Sequence, residues 1–459
     1  MAKKTASTPP PAPAARPPYM LIEEIRVQGY KSLVDATLHV RPLTLLAGTN
    51  SSGKSSIMQP LLLIKQTMEA PYQPAGALVL GGAHVQAETA GELVSKIDNV
   101  NEQIQFVFIG SESDKASEQP LLIETVYERE EDIFNLVMQS VRIKNTTHVI
   151  ELKPMSSWEE LSPQLTINFL KSVFNDKKHN GRVEQRKAFL QLNLIDEDGL
   201  VLMSAQVSAH FQNSVASLMH IPGLRVIPKR TYRTTYFQNQ ITGTFDIYAA
   251  GTISQWQQQE NNVALTKLNH YLRRLGLTDS VTAKVKNANE VELSVSRLPA
   301  GAKAKPRKAD MVNIADVGIG VSQVLPILVA LIAAQEGQIV YVEQPELHLH
   351  PRAQVVMAEL LAEAANRGVR VIVETHSSLL LLTVQTMVAE GRMKPEDVGL
   401  HWFERDAKGA TKVTLAEVDE NGAYGNWPED FGDVELTAQS AYLNANTKRQ
   451  PFTARPDEA

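Results

Sequence analysis

No cysteine occurs anywhere in the 459 residues. Disulfides, thiolate metal sites and cysteine nucleophiles are therefore excluded, and a reducing cytoplasm is the expected compartment. Long apolar runs are missing too. None approaches the roughly 18 residues of a membrane-spanning helix, so no membrane partner is expected. Neither sign of charge dominates. With 45 basic and 51 acidic residues the net charge is −6, which argues against a whole-surface nucleic-acid binder and leaves room for a local basic patch. Internal repeats and sustained heptads are absent, so no long coiled-coil arm is expected. Residues 1–20 lack the apolar stretch of a secretory signal. Pro9, Pro10, Pro11, Pro13, Pro17 and Pro18 break any helix there, and the segment reads as a disordered tail.

A core is present. Apolar residues make up 43% and charged residues 21%, as in a globular protein, and the length suits two or three domain-sized units or one large domain with an insertion. Ile22, Glu24 and Arg26 alternate with Glu23, Ile25 and Val27 in a strand ending at Gly29. Residues 43–47 form a short buried strand. "SSIMQPLLLIKQTMEA" predicts a helix kinked at Pro60. Strand-like segments fill residues 103–207, interrupted by a Lys-rich piece at 161–194 that reads as helical. Val263, Leu265, Leu268, Tyr271, Leu272 and Leu275 mark one stripe of an amphipathic helix. A glycine-containing loop then runs into an apolar helix. Next come a buried strand ("QIVYVEQPE"), a helix stopped by Gly368, and another buried strand ("VRVIVETHS"). Alternating strands and helices predict an α/β core with a mostly parallel sheet.

Four motifs carry chemistry. "GTNSSGKS" at 48–55 follows a strand and opens a helix, the context a phosphate-binding loop requires. Gly48 and Gly53 let the backbone of Asn50, Ser51, Ser52 and Ser56 wrap phosphates. Lys54 supplies a point charge to the β- and γ-phosphates, and Ser55 can hold Mg²⁺. In "IVYVEQPELHLHP", Glu343 ends an apolar strand where a Mg²⁺-water ligand belongs. Its distance from Lys54 in the chain implies an insertion between the two halves of the nucleotide site. In "VIVETHSS", His376 can donate to a γ-phosphate or orient the attacking water; a structural histidine is the plainer alternative. In "DVGIGVSQVLP", Gly318, Gly320 and Ser322 precede a helix and form a second anion-binding site, one that would serve a γ-phosphate held by another subunit. Two basic segments are less informative. Lys303, Lys305, Arg307 and Lys308 read as a solvated loop or as a contact for nucleic-acid phosphates or an acidic protein. Arg225, Lys229, Arg230 and Arg233 form the other.

In this order the motifs resemble the ABC-type heads of RecF, SMC and overcoming-lysogenisation-defect ATPases. "GYKSLVDATL", "VGIGVSQVLP", "VEQPELHLHP" and "NGAYGNWPEDF" resemble, more closely, AAA-family ATPases with a DUF3696 C-terminal domain, which have relatives in anti-phage systems such as PARIS and Septu. The resemblance implies an ABC-type P-loop head at 21–400 with a β-rich N-terminal lobe and a helical insertion near 155–200, followed by a DUF3696-like segment at 401–459. It implies a homodimer or higher homo-oligomer with Mg-ATP between the Lys54 loop of one subunit and the Gly318–Ser322 loop of the other. It places Gly318 at the usual signature serine and His350 at a frequent aspartate. It further implies a separate effector, a nuclease or toxin, with nucleic acid or a phage protein as trigger.

One departure matters. Many ABC ATPases carry a general base directly after the magnesium acid, and here that position is Gln344. An amide can orient a water but cannot take its proton, so Glu346 is the substitute the motif offers and slow hydrolysis is expected. The resulting expectation is an ATP- and Mg²⁺-binding assembly switch in anti-phage defence. The alternative is a RecF/SMC-like DNA-repair or chromosome-maintenance ATPase. A built-in nuclease is not expected, because the stretch after His376 is shorter than a typical domain of about 100 residues and lacks a D-x-D pair. A transporter subunit fits the signature-like loop poorly.

Overall fold

The computed structural model describes residues 17–97, 102–113, 121–143, 149–154, 156, 180–195, 200–205, 208–225, 227–234, 240–259, 262–298, 308–425, 437 and 440–444. The chain opens with β1 (Met20–Tyr30), β2 (Leu33–His39), β3 (Leu43–Gly48) and α1 (Gln59–Glu69). Strands β4 (Gln103–Glu112), β5 (Leu121–Glu130), β6 (Ile133–Ile143), β7 (Val149–Leu152), β8 (Asn180–Arg186), β9 (Phe189–Ile195) and β10 (Val201–Ala205) follow. Then come α2 (Ala209–Ser217), β11 (Met219–Ile221), β12 (Tyr232–Arg233), α3 (Ala249–Gln258), α4 (Asn262–Arg274), β13 (Val281–Asn287), β14 (Glu290–Ser296) and β15 (Met311–Asn313). The last described elements are α5 (Ile319–Ala333), β16 (Ile339–Glu343), α6 (Pro351–Ala365), β17 (Arg370–Glu374), α7 (Ser378–Ala389), β18 (Val398–Arg405) and β19 (Thr411–Ala416).

The fold is α/β. Its central sheet runs β11-β16-β17-β3-β18-β19. Every pairing from β11 to β18 is parallel, and only the β19 edge is antiparallel. Such a sheet must be covered on both faces, which is why its strands are apolar throughout. On one face Leu45, Val340, Val342, Val371 and Val373 pack against α3 to α7. On the other, Leu46, Tyr341, Ile372 and Phe403 meet α1 and an antiparallel lobe, β2-β1-β4-β5-β6-β7.

The lobe begins with the alternating strand, modified. A register shift between Ile22 and Glu24 lets both Ile22 and Ile25 face inward, which strict alternation forbids. Pro60 does not kink a helix. A 3-10 turn at Ser55–Ile57 comes first, and α1 restarts with Pro60 in its first turn, where a missing N–H costs nothing. Of the stretch read as helical, residues 157–179 lie outside the described residues. Residues 180–195 are the β8–β9 hairpin instead. Period-two patterning ("FLQLNLI") prevails there over the lysine-rich composition. On α4, Ala264 replaces Val263 in the buried stripe, because 264, 268, 271, 272 and 275 keep the helical period. Among the described residues the longest helices have 15 residues, too short for a coiled-coil arm, and none is long and apolar enough to cross a membrane.

The boundary expected between 400 and 401 falls inside β18. That strand pairs with β3 from Val398↔Leu43 to Phe403↔Gly48, so this part of the C-terminal segment belongs to the central sheet. Gly48 has φ +146°, and a Cβ there would sit 2.1 Å from the Phe403 carbonyl oxygen. Gly48→Ala is therefore expected to destabilise the protein by about 2–4 kcal/mol. Thermal melts check this, with Gly318→Ala as control, because a Cβ at Gly318 meets nothing within 4 Å.

Candidate functional site

Five parallel strands deliver their carboxyl ends to one edge of the sheet, the edge at which open α/β sheets bind ligands. The loop after β3 wraps an open cleft of about 710 Å³. Asn50, Ser51, Ser52, Gly53, Lys54, Ser55 and Ser56 all line it, as do Gln344 and His376. Ser51 and Gly53 hold positive φ (58° and 101°), which turns successive N–H groups inward. Lys54 is almost fully buried, and its Nζ donates to Gly48 O (3.1 Å) and Thr49 O (2.7 Å). Burial holds its pKa below the usual lysine range, against the pull of Glu374.

The acids are arranged differently from the sequence expectation. Ser55 Oγ donates to Glu374 Oε2 (2.7 Å), at the end of β17, and Glu374 lines the cleft. Tyr341 OH donates to the same oxygen (3.2 Å). Glu343, expected beside Ser55, is not among the lining residues. Its oxygens accept from His220 Nε2 (3.1 Å) and Gly223 N (2.9 Å). Burial works to raise its pKa, yet these bonds keep it below the usual carboxylate range. Burial raises Glu374, and the Glu343 carboxylate adds to that against the Ser55 hydrogen bond. Glu346 does not reach the cleft either. Its Oε1 accepts from His376 N (2.7 Å), so it holds the His376 backbone, and burial raises its pKa. Burial and the Lys54 charge lower the pKa of His376.

Gly318, Gly320 and Ser322 lie outside this cleft. Only Gly318 precedes the helix, as N-cap of α5. Gly320 and Ser322 are inside its first turn, and Ser322 Oγ is buried and bonded to Ile319 O (2.8 Å). Arg225 is buried, and its Nη2 donates to Glu343 O and Gln344 O, bracing the turn behind the site. Arg230 pairs with Asp316 (2.8 Å). His350 caps α6 by accepting from Arg352 N (3.3 Å). Lys303, Lys305 and Arg307 lie outside the described residues; Lys308 opens a short 3-10 turn.

Residues 43–382 match the family described as "AAA domain, putative AbiEii toxin, Type IV TA system". The chain belongs to that AAA family. Residues 393–433 match "Protein of unknown function (DUF3696)". No curated protein matches the chain. Solved structures similar to it include SMC heads. "Crystal structure of the SmcHead bound to the C-winged helix domain of ScpA" is 11% identical with TM-score 0.43, over 87% of this chain and 98% of that one. "SMC head domain from Thermotoga maritima" is 10% identical with TM-score 0.38, over 86% and 99%. A Pyrococcus furiosus SMC head with an extended coiled coil, bound to the C-terminal domain of ScpA, is 11% identical with TM-score 0.45, over 94% and 100%.

Membership makes this an ATPase of the AAA type, and the cleft suits ATP and Mg²⁺. A Cβ at Gly53 would sit 2.6 Å from Thr411 Oγ1, so the cradle is shaped for backbone alone. Ser55 and Glu374 offer hard oxygen donors. Among the described residues no group of three or more His, Cys, Asp or Glu could hold a metal. A magnesium ion here would rely on phosphate oxygens, as it does in nucleotide sites.

In this AAA protein several cleft residues had been given no role from the sequence: Lys31, Ser32, Glu92, Val94, Lys96, Ile97, Glu374 and Arg405. Glu374 had a signal. It is the register partner of Glu343 and, like it, a strand-end acid. The C-terminal hairpin braces the phosphate loop. Thr411 Oγ1 donates to Ser52 O (2.7 Å) and meets Ser32 Oγ (2.7 Å), and Arg405 Nε donates to Ser51 O (2.9 Å). Thr411→Val keeps the shape and removes the hydroxyl, which leaves a buried carbonyl unpaired. ATP affinity is expected to fall about tenfold, with Thr411→Ser near wild type, by calorimetry.

Proposed function

We propose that the chain is an ATP-binding, slowly hydrolysing head that changes assembly state with ATP and works with a separate effector, a nuclease or toxin, in anti-phage defence. The observation that carries the nucleotide reading is Lys54, buried at the back of a glycine cradle with its hydrogen bonds on loop carbonyls. A triphosphate would take those bonds over. Mg²⁺, with Ser55 as a ligand, would neutralise charge on the β- and γ-phosphates. Gln344 and His376 face the cleft to align a water. Glu346, tied to the His376 backbone, is not a proton acceptor there, so turnover is slow.

Assembly through the nucleotide is supported by α5. Its N-cap Gly318 is exposed, makes no side-chain cap and has open space around it, so first-turn N–H groups of a 15-residue helix are available to an anion. It stands away from its own Lys54 cleft, as a site serving a second copy would. The defence role rests on resemblance to the PARIS and Septu ATPases and on a family description that names a toxin.

Three outcomes test this reading. Lys54→Ala should remove most ATP affinity in calorimetry while leaving the fold intact; equal binding rejects the site. Gly320→Glu should abolish ATP-dependent association in sedimentation while ATP still binds. Gln344→Glu should raise steady-state phosphate release up to about 100-fold. Fast wild-type turnover would show that a proton acceptor is already in place.

A further inference from the structure

The nucleotide cleft holds a carboxylate in a place no motif assigns. Parallel pairing sets Glu343 and Glu374 side by side at the ends of β16 and β17. Each lies two residues beyond one on the α1 face, Tyr341 or Ile372, so strand alternation sends both side chains to that side of the sheet. Their surroundings then separate them. Both oxygens of Glu343 are occupied, by the ring N–H of His220 and by the Gly223 amide. His220 is itself fixed. It stacks on Tyr341 (centroids 5.2 Å apart, 11° between planes), and its Nδ1 lies 3.0 Å from His84 Nδ1. Glu343 is thus held outside the lining of the cleft. Glu374 lines it, with one oxygen on the Ser55 hydroxyl and the Tyr341 hydroxyl.

We propose that Glu374, with Ser55, holds the divalent cation of the bound nucleotide, the task the sequence pattern gives to Glu343. The inference rests on the nucleotide reading of the cleft. Ser55 spends its proton on Glu374 in this structure. A cation at that point turns the hydroxyl oxygen toward itself and leaves the Glu374 oxygen beside it as a second hard donor. The cation also relieves the repulsion between two adjacent carboxylates, Glu374 buried and Glu343 partly so. His220 and Tyr341 act as positioning residues that keep the pair apart in function.

The test is binding of a non-hydrolysable ATP analogue by calorimetry, in Mg²⁺ and in EDTA, for wild type, Glu374→Gln and Glu343→Gln. In wild type Mg²⁺ tightens binding. In Glu374→Gln that gain should fall about 10- to 100-fold, while affinity in EDTA rises, because a negative charge beside the phosphates has gone. General damage to the site would lower both. Glu343→Gln should keep most of the gain. Manganese bound with the analogue should show a changed electron paramagnetic resonance spectrum in Glu374→Gln and not in Glu343→Gln. A full Mg²⁺ gain in Glu374→Gln, or its loss in Glu343→Gln alone, would overturn the proposal. Failure of the wild type to bind the analogue in either condition would overturn the nucleotide reading beneath it.

Discussion

The contact between Gly48 and the Phe403 carbonyl fixes the geometry of everything around it. A strand must end, the chain must turn sharply upward, and a neighbouring strand already occupies the space a side chain would need. Only glycine meets that condition. Once it is met, the next residues are committed. Thr49 N reaches back to Phe403 O, Ser51 takes the left-handed region, and Lys54 folds in behind its own loop. The phosphate cradle is thus a product of strand pairing as much as of a local glycine motif.

The same sheet edge explains how one site draws on so many parts of the chain. Parallel strands end together, so whatever follows each of them is delivered to a common rim. Here that rim collects a cation from the β3 loop, an amide after β16, an acid from β17, an imidazole after β17 and a guanidinium from β18. The lobe closes the far wall with Lys31 and Val94. Behind the rim, Arg225 Nη2 donates to the backbone of the turn after β16, and His220 Nε2 donates to the Glu343 carboxylate at the end of that strand.

Much of this was legible in the sequence where the cause is local. The loop at 48–55 announces itself because its glycines and lysine serve one ligand at one place. β16 and β17 are apolar enough to read as buried parallel strands. The direction of Glu343 was not legible, because it is decided by His220 and Gly223, which lie far from it in the chain. Glu374 was passed over although it repeats the strand-end pattern of Glu343, since only register makes the two neighbours. Gly320 and Ser322 read as loop because two glycines suggest a break, but the apolar face of α5 carries the helix back to Ile319. Pro60 read as a kink because its position in the helix, first turn or interior, depends on where the helix restarts.

The last feature to follow is the order in which the cradle can be made. The phosphate loop is synthesised long before the threonine that braces it, since Thr411 lies 379 residues beyond its partner Ser32. Both strands that flank β3 also come late, β17 and β18. During synthesis the loop therefore has no walls until nearly all the described chain has emerged. A nascent chain stalled before β18 would carry the complete glycine motif and no shaped site. The ordering of this site therefore depends on long-range contacts, the kind that form slowly in folding.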